Sequence, residues 1–410
     1  MHSGMSTQRM KNVSAASPAA GASLTAFFAL GFRPFFLGAS VLAVVAMGLW
    51  VGVWRFGVPV EFSVLSSSLW HAHELIYGYA MAVIAGFLLT AVKNWTGIQT
   101  IHGLKLCAVF LCWGGARVMF FFGDAFLFAA AIFDIAFVIA LIASVGAPIV
   151  RVRQWRQLAI LSKLVLLGGG NLLFYAGAMG HPEEGARWGV YTGLYLVIGL
   201  ILTLGRRVIP AFIAGGVGYA VKLTNRRWLD LASMILFVPF FILETFTQLK
   251  HLAGGLAAAL FVLHCIRAAG WHTPGIWRKP LLWSLYCAYL FIISGFGLYA
   301  LSVFTGFSSH VLAIHAFTTG GIGLITLGMM GRVSLGHTGH DVHAPPGAVG
   351  WALALISLSF VVRVIFPLAD AQHYLLWLLL SALAWILGFI VFLIIFSPVL
   401  LCPRADGRPG

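Results

Sequence analysis

An all-α bundle of about twelve transmembrane helices is the fold this sequence predicts. Three observations carry it. Of 410 residues, 61% are hydrophobic and only 9% charged, against roughly a quarter charged in a soluble globular chain. Apolar runs of 18 or more residues recur along the whole length, each long enough to cross a bilayer as a helix. The basic residues concentrate in alternate loops, as membrane insertion demands. Barrel strands are excluded, because the runs are too long and too uniformly apolar.

The spans run, in order, over about 34–54, 71–92, 105–122, 125–147, 158–180, 187–205, 228–247, 251–269, 281–304, 309–330, 347–368 and 374–400, with edges good to a few residues. Short basic or Gly/Pro loops separate them. Gly168-Gly169-Gly170 in the fifth and Gly320-Gly321 in the tenth allow close helix approach. The expected organisation is a loose cytoplasmic tail over 1–24, one membrane domain over 25–402 and a short tail over 403–410. The stretch from Met1 to about Ala22 is polar and Ala/Ser-rich, without the apolar core and cleavage site of a signal peptide.

Twelve spans put both termini on one side. With that side cytoplasmic, the inner loops and helix ends hold 20 of the 25 lysines and arginines, among them Lys93, Lys105, Arg151, Arg206, Arg227, Arg278 and Arg332. The outer side holds Arg55, Arg187 and Lys250, and Arg117 and Arg363 fall inside spans. The net charge of +14 therefore reads as topology and attraction to anionic membrane lipid, not as nucleic-acid binding. The expected location is a bacterial inner membrane. Five scattered cysteines without a CxxC indicate neither a zinc ribbon nor a covalently attached haem.

Ionisable side chains at membrane depth are costly and usually functional. Trp70-His71-Ala72-His73-Glu74 opens the second span from the outer side. Arg117 lies in the outer third of span three, with Asp134 a little below the outer surface in span four. Asn171 and Tyr175 are mid-to-outer in span five, and Glu244 is outer in span seven. His310 and His315 open span ten, and Arg363 is outer in span eleven. Seven spans thus send polar groups to one leaflet, which predicts a buried site toward the periplasmic face.

Neutral imidazole is a standard ligand for haem iron and copper. His71 and His73 are about 200° apart around a helix, and His310 and His315 about 140° apart. One histidine of each pair is therefore expected to face a haem, the others serving a second metal or a hydrogen bond. Metal ligands are sought among His71, His73, His310 and His315. Arg117 and Arg363 suit haem propionates, since guanidinium grips carboxylate in a fork, although either could instead pair with Asp134 or Glu244. Glu74 and Glu244 are the candidates for proton relay or for fixing a histidine tautomer. His264 and His373 read as packing residues. A second polar concentration lies on the inner side: Arg207 after span six, and Arg332, His337 and His340 after span ten, candidates for an anion or second metal site. Trp50, Trp54, Trp70, Trp95, Trp228, Trp271 and Trp277 read as the interfacial aromatic belt.

Several ordered stretches resemble the NnrS family. They are Gly31 to Phe36, Trp70 to Glu74, Gly86 to Gly97, Gly205 to Phe212, His315 to Gly320 and Thr326 to Gly339. The resemblance covers the whole membrane region. It implies a polytopic membrane protein carrying haem and copper and linked to nitric oxide metabolism and denitrification. It carries a site role onto His71, His73, Glu74 and His315, and onto Arg207, Arg332, His337 and His340.

The leading expectation is a b-type haem protein, with copper, that binds or reduces nitric oxide, a nitric oxide-reducing oxidoreductase. Reduction would join two nitric oxide molecules with two electrons and two protons. No extramembrane cytochrome domain is legible, so electrons are expected from quinol or a separate donor protein. Two alternatives stand beside it: a transporter or handler of haem, copper or an iron–nitrosyl species, and a non-catalytic nitric oxide sensor or accessory protein.

Overall fold

The computed structural model describes residues 21–58 and 65–407. Most of the expected tail over 1–24, and residues 408–410 of the C-terminal one, lie outside the described residues. Every regular element among those described is helical. Twelve helices are long and apolar enough to cross a membrane: α1 (Phe32–Phe56), α2 (Ser67–Thr96), α3 (Leu104–Phe121), α4 (Asp124–Arg151), α5 (Trp155–Ala178), α6 (Gly185–Gly216), α7 (Arg227–Phe246), α8 (Lys250–Trp271), α9 (Pro280–Phe304), α10 (His310–His337), α11 (Gly347–Ala369) and α12 (Tyr374–Leu401).

The first and last described segments of the chain meet at one end of the bundle. Ser23 N–H donates to the Leu401 carbonyl at 3.0 Å, and the Arg33 guanidinium donates to the carbonyls of Leu400 and Cys402 at 3.0 and 2.6 Å. Deeper in, Trp385 Nε1 on α12 donates to the Ala43 carbonyl on α1 at 3.2 Å, closing the first span onto the last.

Two helices extend well past their apolar runs. α6 continues to Gly216 and α10 to His337, because hydropathy marks where lipid ends and not where backbone hydrogen bonding ends. Pro210 inside α6 has no N–H for the Arg206 carbonyl, and that carbonyl accepts from Asn225 Nδ2 at 3.4 Å.

The centre of the bundle is α2 and α10, 83% and 78% buried across their apolar windows, where every other span is 56% or less. Protein, not lipid, surrounds these two, which is what lets them carry polar groups. Small residues make the packing possible. A Cβ on Gly320 would sit 2.5 Å from the Phe360 ring, and one on Gly323 would sit 2.4 Å from Trp385.

Three helices contain a π-helical stretch: Glu74–Ala80 in α2, Ala316–Gly323 in α10 and Val361–Ile365 in α11. Each holds one extra residue in a turn and re-aims the side chains around it. Glu74 begins the first, His315 immediately precedes the second, and Arg363 lies within the third.

Candidate functional site

α2 and α10 begin alike at the end of the bundle away from the Ser23–Leu401 contact, the outer end of the predicted topology. Ser66 and Ser309 are extended N-cap residues whose hydroxyls accept from Leu69 and Leu312 N–H at 3.3 and 3.4 Å. These caps fix where each helix starts, and so place His71, His310 and His315 within the first two turns.

A cavity of about 480 Å³ lies between these starts and the outer parts of α11 and α12. His71, His310, His315 and Arg363 line it together with apolar residues such as Leu75, Ile322 and Trp385. His71 stacks on Trp50, with ring centroids 4.2 Å apart and planes 16° apart, and its Nδ1 is buried without a partner. His315 Nδ1 is 2.8 Å from the Val311 carbonyl. A carbonyl only accepts, so Nδ1 carries the hydrogen and Nε2 keeps the lone pair of the neutral ring. Arg363 donates through Nη2 to the Tyr374 hydroxyl at 2.7 Å, while its Nη1 is buried and unpartnered. The Arg363 charge bears on both His71 and His315.

At the cavity's edge, His310 Nε2 is 2.6 Å from Glu244 Oε1 on α7, and the Tyr299 hydroxyl on α9 donates to the other Glu244 oxygen. Tyr191 stacks on the His310 ring. The His310 side chain is 37% exposed and Glu244 is buried, so this dyad joins the outer surface to the cavity.

His73 and Arg117 do not reach the cavity. The helical repeat turns His73 to the other side of α2, where it is fully buried and stacked on Phe174 at 4.1 Å. Its Nε2 meets Asn171 Oδ1 at 2.9 Å and its Nδ1 meets Glu74 Oε1 at 3.2 Å, so both ring nitrogens are engaged. Arg117 bridges Glu74 Oε1, at 2.6 Å, and Asp134 Oδ2, which also accepts from Tyr175. Of the partners open to Arg117, a propionate, Asp134 or Glu244, the structure has Asp134. Helices α2 to α5 thereby share one ionic cluster, closed off from the cavity by the width of α2.

At the inner end, Arg207, Arg332, His337 and His340 do not converge. Arg207 is exposed. Arg332 lies 3.8 Å over the Phe212 ring, and the His337 ring lies against Phe32. His340 Nδ1 meets the Thr338 hydroxyl at 2.8 Å. The spacing of three puts two residues on one face only while a helix lasts. Here α10 ends at His337, Gly339 turns left-handed at φ +83°, and the His340 N–H closes back on the Leu335 carbonyl at 3.0 Å. No cluster of three or more His, Cys, Asp or Glu side chains suited to a metal occurs among the described residues.

Two features escaped the sequence reading. Trp50 packs on a site histidine and is not merely part of the aromatic belt. Arg267, buried near the inner end, holds Asp230 Oδ1 at 3.0 Å, Ser233 Oγ at 3.1 Å, the Tyr289 hydroxyl at 3.1 Å and His264 Nδ1 at 3.0 Å, with Arg206 on the other Asp230 oxygen at 3.1 Å. The available signal was Asp230 itself, a carboxylate among inner-side arginines.

The family described as NnrS protein matches residues 26–404. The chain belongs to the NnrS family. No curated protein matches it. Membership brings a nitric oxide-related function and agrees with the twelve spans. In this NnrS chain the Trp70 to Glu74 motif forms a wall: His71 faces the cavity, and His73 and Glu74 face the ionic cluster. The His315 to Gly320 motif supplies the opposite wall and the π-helical turn behind it.

Proposed function

We propose that the outer cavity of this NnrS chain holds a b-type haem for binding or reducing nitric oxide, with His71 and His315 as the iron ligands and Arg363 as the propionate partner. The observation that supports this most is that two imidazoles from spans two and ten line one cavity, each with a ring nitrogen left unbonded by the protein. The volume falls within the roughly 300–1,000 Å³ of cofactor and ligand sites. An incoming carboxylate would satisfy the orphaned Arg363 Nη1, whose burial unpaired is otherwise costly. The Val311 carbonyl fixes the His315 tautomer as backbone carbonyls commonly do for metal-bound histidines.

Held by both imidazoles, the haem would supply one-electron redox chemistry, and a small uncharged gas would reach its iron only where His71 or His315 gives way. The chain's own residues do the rest. Leu75, Ile322 and Trp385 keep the space apolar, which suits such a gas. Trp50 holds the His71 ring in place. The Glu244–His310–Tyr299 group can hold a proton at the mouth and pass it inward from the exposed edge of His310. A carboxylate-oriented imidazole is also the usual setting of a metal ligand, so His310 is the proposed contact for copper.

The test is purified protein, reduced and titrated with nitric oxide anaerobically. Stoichiometric iron, an absorption shift on adding the gas, and nitrous oxide on turnover are expected. Protein that contains no haem iron, or whose spectrum is indifferent to nitric oxide, would contradict the reading. A shift without nitrous oxide would reduce it to binding alone.

A further inference from the structure

A second hollow, of about 260 Å³, opens on the outside of the bundle between α1, α2 and α3. Its rim is apolar and faces lipid: Val45 and Val118 are half-exposed and Phe121 more so. Its inner wall is Trp70, Glu74 and Arg117. The groove thus leads sideways from the bilayer to buried hydrogen-bonding groups.

Those groups are not fully used. Glu74 Oε1 takes both Arg117 and His73, and Oε2 makes no hydrogen bond within the described residues. Arg117 spends its two terminal nitrogens on Glu74 and Asp134, while its Nε is buried without a partner on a side chain only 7% exposed. The wall therefore offers one open acceptor, Glu74 Oε2, with the Arg117 Nε–H sealed behind it. Two carboxylates surround the single guanidinium, so the wall is not cationic and does not favour a phosphate. An acyl chain alone would leave that acceptor unpaired in an apolar setting, at a free-energy cost. A neutral head whose hydroxyl donates to Glu74 Oε2, on an apolar tail, satisfies the acceptor and the apolar rim together.

We propose that this groove is a lateral binding site for a membrane-soluble hydroquinone, its head hydroxyl donating to Glu74 Oε2 and its tail over Val45 and Val118. Trp70 and Glu74 face the groove, while His71 and Leu75 face the outer cavity. Only α2, about 10–12 Å across, separates the two. The binding site stands on its own geometry and does not depend on what the cavity holds.

The experiment is equilibrium binding of a short-tailed ubiquinol to the full-length protein in detergent, with haem content recorded on the same samples. Saturable one-to-one binding is expected, weakened at least about tenfold, or about 1.4 kcal/mol, by Val118→Trp, which fills the groove from its lipid side. Glu74→Gln should also weaken it. Uptake that never saturates, marking mere partitioning into detergent or lipid, would overturn the site, as would equal affinity in wild type and V118W. Normal haem content with no quinol binding sinks this site and leaves the cavity reading intact.

Discussion

Arg117 is the residue on which the ionic cluster turns. It neutralises Glu74 and Asp134 at depths where neither can reach water, and removing one member of such a group leaves the others buried and unpaired. Arg117→Ala should cost about 3–5 kcal/mol, read as a large fall in thermal unfolding temperature in detergent. Arg117→Lys should recover only part of it, because one ammonium cannot span two carboxylates as the guanidinium fork does. A thermally unperturbed R117A would show that the cluster contributes little to stability. At this scale the sequence was half legible. The angular argument separates His71 from His73, since 3.6 residues per turn leaves them no common face. The partner of Arg117 was not decidable, because a propionate and Asp134 present the same carboxylate. The stacking of Trp50 on His71 was hidden because a tryptophan near a span end looks the same whether it meets lipid headgroups or an imidazole.

The helices themselves were legible from apolar length, and their irregularities were not. No pattern of hydropathy marks the π-helical turns, yet all three lie at site residues, where the added residue rotates what comes before against what comes after. That dependence can be tested. Inserting one alanine after Met81, in the regular part of α2, should turn His71 by about 100° relative to the rest of the helix. The expected outcome is a protein that still inserts and runs as a single species but carries no haem. An insertion variant with wild-type haem content would show that the phase of α2 does not aim His71. The ends of α6 and α10 were misjudged for a related reason: arginine at a lipid boundary stops an apolar run without stopping a helix.

At the level of the whole molecule, twelve spans and the contact between Ser23 and Leu401 place the first and last described segments at one end. The basic residues predict that this end is cytoplasmic, which would make the mouth of the cavity periplasmic. Fluorescent-protein and alkaline-phosphatase fusions check it. A C-terminal fusion should fluoresce and lack phosphatase activity, and phosphatase inserted at Gly306, between α9 and α10, should be active. The reverse pattern would turn the cavity toward the cytoplasm and remove the periplasmic proton path through His310. The gathering of polar groups at one end was readable from span direction and residue depth. Their division into a cavity and a closed cluster, on opposite sides of α2, depends on packing between helices distant in sequence.

The central claim is that His71 and His315 together grip the redox centre while His73 does not. The Soret absorbance per mole of purified protein tests it most directly in three single variants made and prepared alike. His71→Ala and His315→Ala should each abolish or strongly shift the band, and His73→Ala, provided it folds, should keep it. Soret bands unchanged in both H71A and H315A, or lost only in a folded H73A, would contradict the account.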